Sequence, residues 1–276
     1  MALKWHIVVG LILVSRVAYG QFTLYISAIQ TNQPDSTSIV AIDSGEITSI
    51  LLHPKTGILT YTKTRNSETI LYNYNFETKD ASQLFAHAGT ITSLQLFPDE
   101  KHFSFLTENT KGPKDLINLS IDGRIHKEIR SGLSWESFIW IDDNSLLYLE
   151  SGEPNTLNLM TMRPIRQSLI AKNISATLVR VSTPLSLYFV HKLSVDTWSL
   201  KKVGTDGSIR IIADTLPEAD VFCVAGNTIY LESEGIIYRL QNDQWIVMTR
   251  QFQGKKIVAF QMNNSGNKIA VLASGK

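Results

Sequence analysis

The sequence is poor in cysteine, in charge of either sign and in long apolar runs. Its one cysteine, Cys223, rules out an intramolecular disulfide, so no covalent framework holds the fold. Charged residues are 18% of the 276 and the formal net charge is +1. No broad basic surface exists for nucleic acid or an anionic membrane, and neither is expected as a partner. Motifs for catalysis are missing too: there is no G-x-S-x-G, H-E-x-x-H, C-x-x-C, phosphate loop, G-x-G-x-x-G or EF-hand-type loop. The chain is expected to carry no cofactor, no metal and no catalytic constellation. Cys223 sits in the apolar run Val221-Phe222-Cys223-Val224 and is expected to be a small core residue.

The first twenty residues read as a signal peptide. Lys4 supplies a basic start, residues 7–14 (IVVGLILV) an apolar stretch too short to span a bilayer, and Ala18-Tyr19-Gly20 a small-residue cleavage site. The mature chain is expected to begin at Gln21 and to be periplasmic or extracellular, with no remaining transmembrane span. No cysteine follows the apolar stretch to take a lipid. The expected partner is another envelope or secreted protein, and the protein is expected to be a monomer.

A short repeat is present. Six segments end in a large apolar residue: Tyr61, Phe105, Tyr148, Tyr188, Tyr230 and Val271, with separations of 44, 43, 40, 42 and 41. This period matches a four-stranded propeller blade. Each segment marks a second strand, b. Upstream lies a strand a, at residues 47–53, 91–97, 136–141, 176–181, 219–224 and 256–262. Downstream lie strands c and d, set off by turn signals such as Asp122-Gly123, Asp206-Gly207 and Asn242-Asp243. The repeated aromatic is expected to pack between blades.

The sixth unit has only a and b before the chain stops at Lys276. Its c and d match residues 23–28 and 36–41, after the signal peptide. The expected fold is therefore all-β: one six-bladed β-propeller domain over residues 21–276, closed by pairing N-terminal strands c and d with C-terminal strands a and b. Closure of this kind leaves no open sheet edge between first and last blade.

At the a–b turns the chain resembles the TolB-like, WD-repeat-like propeller proteins of bacteria. Phe97-Pro98-Asp99-Glu100-Lys101-His102-Phe103-Ser104-Phe105 is similar to that family's S-P-D-G-K-K-I-A-F, with Glu100 in place of the glycine. Asn263-Asn264-Ser265-Gly266-Asn267-Lys268-Ile269-Ala270 is a closer copy, and His53-Pro54-Lys55-Thr56-Gly57 a looser one. Residues 151–157 and 216–220 resemble secreted propellers of the Bacteroidetes type. The resemblance implies an exported envelope or secreted protein that binds other proteins or ligands, and it carries no residue-level binding motif.

Recognition is expected on the loops of a rigid scaffold. The d–a and b–c loops share one end of a propeller and here carry Arg65, His87, Lys111, Trp135, Glu136, Glu150, His191 and Glu232. Arg and Trp are favoured interface anchors. Trp135 is the first candidate, and the alternative for it is packing at the start of strand a. Five histidines outside the signal peptide fall in different blades, and Asp142-Asp143-Asn144 reads as a plain a–b turn. Two functions stay open: a protein-binding or scaffolding module, or small-molecule or glycan binding or hydrolysis at the channel mouth.

Overall fold

The computed structural model describes residues 21–28, 39–53, 58–108, 113–150, 152, 154–182, 185–204, 208–216, 219, 221–263 and 265–274. Among them every regular element is a strand, and no helix is long and apolar enough to cross a membrane. In chain order come β1 (Phe22–Ala28), β2 (Val40–Leu52), β3 (Ile58–Arg65), β4 (Glu68–Asn75) and β5 (Ala81–Ala88). Next are β6 (Thr90–Leu96), β7 (His102–Glu108), β8 (Lys114–Ser120), β9 (His126–Leu133), β10 (Trp135–Trp140), β11 (Ser145–Glu150), β12 (Thr156–Met162) and β13 (Ile165–Lys172). Then follow β14 (Ile174–Ser182), β15 (Leu185–Lys192), β16 (Trp198–Val203), β17 (Ile209–Asp214), β18 (Phe222–Ala225), β19 (Thr228–Ser233), β20 (Ile236–Gln241) and β21 (Gln244–Thr249). The last two are β22 (Lys256–Met262) and β23 (Lys268–Ser274).

Four antiparallel meanders stand alone: β6 to β9, β10 to β13, β14 to β17 and β18 to β21. The remaining strands share one seven-stranded sheet in the order β22-β23-β1-β2-β3-β4-β5. The C-terminal β23 pairs with β1 from Phe22 opposite Ser274 to Ala28 opposite Lys268. Strand β2 serves two partners. Its first part pairs with β1, and its second part, from Glu46, pairs with β3.

Separate d and a strands were expected at residues 36–41 and 47–53. The structure instead has one continuous strand over Val40–Leu52, and residues 36–38 lie outside the described residues. Continuity is possible because the crossing point is Gly45, at φ +132°. A β-carbon there would meet the Lys63 Cε at 3.1 Å. Glycine both reaches this backbone conformation and leaves room for the lysine stem.

Burial is graded across each meander, and the sequence patterns follow. The second strand is covered on both faces, so β11 (SLLYLE) carries four consecutive buried apolar residues. The third is partly covered, and in β12 Leu157 and Met160 are buried among half-buried residues. The fourth forms the outer edge, and in β13 the first five residues are exposed.

The core is divided into clusters lying between successive meanders. Leu51 and Leu71 pack with Ile91, Phe103 and Phe105. Leu106 and Leu116 pack with Trp135, Phe138 and Tyr148. Ile139 and Leu147 pack with Leu187 and Phe189, and Val190 and Leu200 with Phe222 and Leu231. Tyr230 and Ile237 pack with Phe260 and Val271. Phe22, Leu24 and Leu272 pack with Ile50, Leu59 and Tyr61. A twisted sheet of four strands buries its faces only against neighbours, which is why five of these clusters draw on two sheets and the sixth packs the two halves of the seven-stranded sheet on each other. The repeated position is buried at Tyr61, Phe105, Tyr148, Tyr230 and Val271. Tyr188 is half-buried beneath the Lys202 ammonium, 5.7 Å from the ring centroid.

The first strands of successive meanders touch in a cycle: β2 with β6, β6 with β10, β10 with β14, β14 with β18, β18 with β22, and β22 with β2. They surround the axis of the molecule.

Candidate functional site

The axis holds a cavity of about 370 Å³, lined by β2, β6, β14, β18 and β22 and by residues of the turns that follow them. Leu51, Leu52, Val179, Val181, Phe222, Val224, Phe260 and Met262 are among its lining residues, and polar and apolar atoms share the wall about equally. Its polar groups are Gln95, Thr177 and Gln261, with Glu100 and Arg180 as the charged pair. Glu100 and Gly226 belong to a–b turns, so the charged end of the cavity opens at the a–b end of the molecule.

Arg180 lies on β14, two residues beyond Leu178, which packs toward β10 and β11. One guanidinium nitrogen donates to the Ile141 carbonyl at 3.4 Å, across the gap to the β10–β11 turn. Burial lowers the Arg180 pKa, against the opposing pull of Glu100, Asp142 and Asp143. These three carboxylates are exposed on their turns.

Cys223 also lines the cavity, and burial pushes its thiol pKa well up, with the Met262 backbone hydrogen bond acting the other way. A thiol so placed stays protonated and unreactive, as the apolar run implied. Among the described residues no group of three or more His, Cys, Asp or Glu is placed to hold a metal ion.

At the opposite end, an open hollow of about 440 Å³ is lined by Gln21, Ser44, Gly45, Glu46, Lys63, Thr64 and Arg65. Asp43 lies beneath it. Its carboxylate accepts hydrogen bonds from the Lys63 ammonium, from the Tyr61 hydroxyl at 2.9 Å and from the Ser44 N–H at 2.7 Å. Burial alone would raise the Asp43 pKa, but these hydrogen bonds and the lysine charge outweigh it and hold the group below its ordinary value. Tyr61 moves the other way, upward, through burial and the neighbouring carboxylate.

The eight sequence-predicted residues fall in several places. Arg65 is exposed and lines the hollow. Trp135 is 3% exposed, its ring stacked on Tyr148 at 4.4 Å between centroids, so no indole surface faces a partner. Glu150 stands opposite Trp135 in the β10–β11 ladder and accepts a hydrogen bond from the Ser134 hydroxyl at 2.6 Å. Glu136 is half-buried, and its backbone carbonyl accepts from the Ser93 hydroxyl at 3.1 Å. His87 is half-buried on β5 with its ring stacked on Phe85 at 6.4 Å. Burial lowers its pKa, Asp115 opposes and His126 adds to the lowering. His191 accepts from the Lys201 ammonium at 2.6 Å, and burial and that charge lower its pKa. Glu232 accepts from the Gly235 N–H at 2.8 Å and so fixes the β19–β20 turn. Lys111 lies outside the described residues. Trp135, Glu136 and Glu150 are brought together; Arg65 and His87 share the β3-β4-β5 part of one sheet, while His191 and Glu232 sit in two other meanders.

Sequence reasoning missed Arg180, Gln261 and Lys63. A signal existed for the first: Thr177-Leu178-Val179-Arg180-Val181 is an inner-strand apolar run broken by one guanidinium.

No known protein family and no curated protein matches the chain at the sequence level. Solved structures do. A TolB-like protein from Agrobacterium tumefaciens is 12% identical with a TM-score of 0.65, over 93% of this chain and 99% of that one. TolB from Acinetobacter baumannii is 11% identical with a TM-score of 0.57, over 93% of this chain and 64% of that one. A gluconolactonase from Xanthomonas campestris is 11% identical with a TM-score of 0.57, over 83% of this chain and 86% of that one. At these identities the likeness carries the fold alone, and the fold of this chain is a TolB-like β-propeller.

Proposed function

We propose that this chain is an exported six-bladed β-propeller that binds another protein of the cell envelope, or a secreted one, through its d–a/b–c end. The six-bladed ring is supported by the cycle of first-strand contacts and by the sharing of β22, β23, β1 and the start of β2 in one sheet. Export rests on the signal-peptide reading of residues 1–20. Protein binding rests mainly on one observation: Glu46, Lys63 and Arg65 wall an open, mixed-charge hollow on a rigid frame. Such a concavity offers an arginine anchor without requiring the scaffold to move. Glu150, His191 and Glu232 extend the same end as polar groups whose positions are fixed by hydrogen bonds. Glycan or small-molecule hydrolysis would need converging acids, and among the described residues Glu100 is the one acid lining the axial cavity.

The test is capture from an envelope extract of the native organism with the purified protein as bait and Arg65→Glu as the control. Arg65 is exposed, so this exchange leaves the core untouched. An envelope protein retained by the wild type, lost with Arg65→Glu and then bound directly by the purified protein supports the reading. Equal capture by both proteins moves the site elsewhere, and no specific capture overturns the proposal. N-terminal sequencing of the exported protein checks the processing site, with Gln21 as the expected first residue.

A further inference from the structure

Gln21 stands in the wall of the open hollow, with Glu46, Lys63 and Arg65. It is exposed, while the next residue is pinned on both sides. Both ladders of β1 begin at Phe22, which is 8% exposed and lies opposite Gly45 of β2 and Ser274 of β23. Gln21 is also the expected first residue of the processed chain, after the small-residue site Ala18-Tyr19-Gly20. Processing there puts a free α-amine on a residue whose own side chain ends in an amide. It does so at an exposed strand end, one position before the backbone becomes fixed.

We infer that, once residues 1–20 are removed, Gln21 closes into a pyroglutamyl lactam and gives the hollow a neutral, blocked chain end. The inference rests on the export reading and needs no partner. The neutral α-amine nitrogen attacks Cδ of the side-chain amide. The N–Cδ bond forms, the Cδ–Nε2 bond breaks, and Nε2 leaves as ammonia with the proton that the α-nitrogen gives up. No oxidant, reductant or second substrate takes part. A neutral fraction of an α-amine is present at neutral pH. Amine and amide on one residue also meet without the entropy cost of a bimolecular encounter. The ring contains only N, Cα, Cβ, Cγ and Cδ of Gln21, so closing it leaves the two Phe22 ladders intact. An open end would add an ammonium to a wall that already holds Lys63 and Arg65. Closure removes that charge and leaves one lactam N–H donor and one carbonyl acceptor in its place. Aminopeptidases require a free α-amine, so the ring also guards β1, the strand that joins β2 to β23.

The test is the intact mass of the protein recovered from envelope and medium after expression of the full chain with its own residues 1–20. The expected mass is that of residues 21–276 less one ammonia. Its N-terminal peptide should resist stepwise degradation until pyroglutamyl aminopeptidase removes the first residue, after which Phe22 is read. Gln21→Ala lacks the amide and changes an exposed position outside the core. It should give the full mass of its own residues 21–276, with a free amine. A wild-type mass with no ammonia lost overturns the inference while leaving processing before Gln21 standing. A chain that begins at any other residue overturns both. Loss of ammonia that persists in Gln21→Ala assigns it to a different residue and overturns the inference as well. The measurement uses no partner, so a failed capture experiment leaves its outcome untouched.

Discussion

Gln261 on β22 accepts a hydrogen bond from the Leu52 N–H on β2 at 2.6 Å and donates from its Nε2 to the Ile50 carbonyl at 2.9 Å. One side chain thus serves a backbone donor and a backbone acceptor that lie 209 and 211 residues away in sequence. The inner strands are linked in this manner elsewhere. The Thr48 hydroxyl donates to the Ile91 carbonyl at 2.7 Å, Ser93 to Glu136, and Arg180 to Ile141. First strands of neighbouring meanders are not ladder partners, so side chains that reach the neighbouring backbone take over the role of a ladder.

Replacing Gln261 by Leu removes both hydrogen bonds and leaves a half-buried N–H and carbonyl without their partner. The expected loss is about 1–3 kcal/mol. The urea midpoint should fall with an unchanged m-value, because the surface exposed on unfolding is the same. A midpoint within error of the wild type would mean that water replaces the amide at both positions.

Asp43 predicts an acid limb in the stability curve. Its carboxyl is held below its ordinary pKa of 3.8 in the folded protein, despite burial, by Lys63, the Ser44 N–H and Tyr61. A depressed folded pKa contributes stability at pH above the ordinary value and loses it as the pH falls through the folded value. Urea midpoints measured from about pH 7 to about pH 3 should therefore drop at the acid end. Asp43→Asn should flatten that drop and lower the midpoint at neutral pH, where it leaves the Lys63 ammonium buried at 8% exposure without its anion. A variant as acid-sensitive as the wild type would move the origin of the limb to other carboxylates.

Trp135 and Tyr148 stack with 21° between their planes, and both are nearly fully buried. Tyr148→Ala should cost about 3–5 kcal/mol, and Tyr148→Phe less than about 1.5 kcal/mol because ring volume is kept. The double replacement with Trp135→Ala should be non-additive by about 1 kcal/mol, the scale of an aromatic pair beyond its burial. Additive losses would show that each ring is held by other neighbours. Trp135→Ala is a stability variant on this geometry, and a loss of partner capture should track the unfolded fraction.

The strands were legible in the sequence wherever burial imposes a pattern. Tyr61, Phe105, Tyr148 and Tyr230 recur because each must fill a space between two sheets, and a single meander supplies that space once per repeat. The turn chemistry was legible for the same local reason, with Asn242 and Asp243 both at positive φ between β20 and β21. The fusion of d and a into β2 was not, since it depends on where Lys63 of β3 passes beneath Gly45. The axial cavity was not legible either. Arg180, Glu100 and Gln261 come from three meanders, and their meeting depends on which face of each inner strand turns to the axis. Trp135 was placed at the right end of the right strand, but its burial is set by Tyr148 on the next strand.

Two turns of similar sequence make opposite predictions. In the β6–β7 turn Glu100 adopts φ 55°, and in the β22–β23 turn Gly266 adopts φ 68°. Both lie in the left-handed region, where a β-carbon costs roughly 1–2 kcal/mol. The rest of the β6–β7 turn is held independently of Glu100's side chain. Its N–H donates to the Phe97 carbonyl at 2.9 Å, while Asp99 accepts from the Lys101 N–H at 2.8 Å and the His102 N–H at 3.2 Å. Glu100→Gly should therefore relieve strain without undoing the turn. Added freedom in the unfolded chain offsets part of that gain, so the net stabilisation should be about 0.5 kcal/mol. Gly266→Ala should destabilise by about 1 kcal/mol or more, because it introduces the same strain and its new methyl meets the Tyr230 hydroxyl at 3.1 Å. Thermal unfolding of the two variants reads both signs. Were both to destabilise, the Glu100 side chain would have to be contributing at the cavity mouth more than its backbone conformation costs.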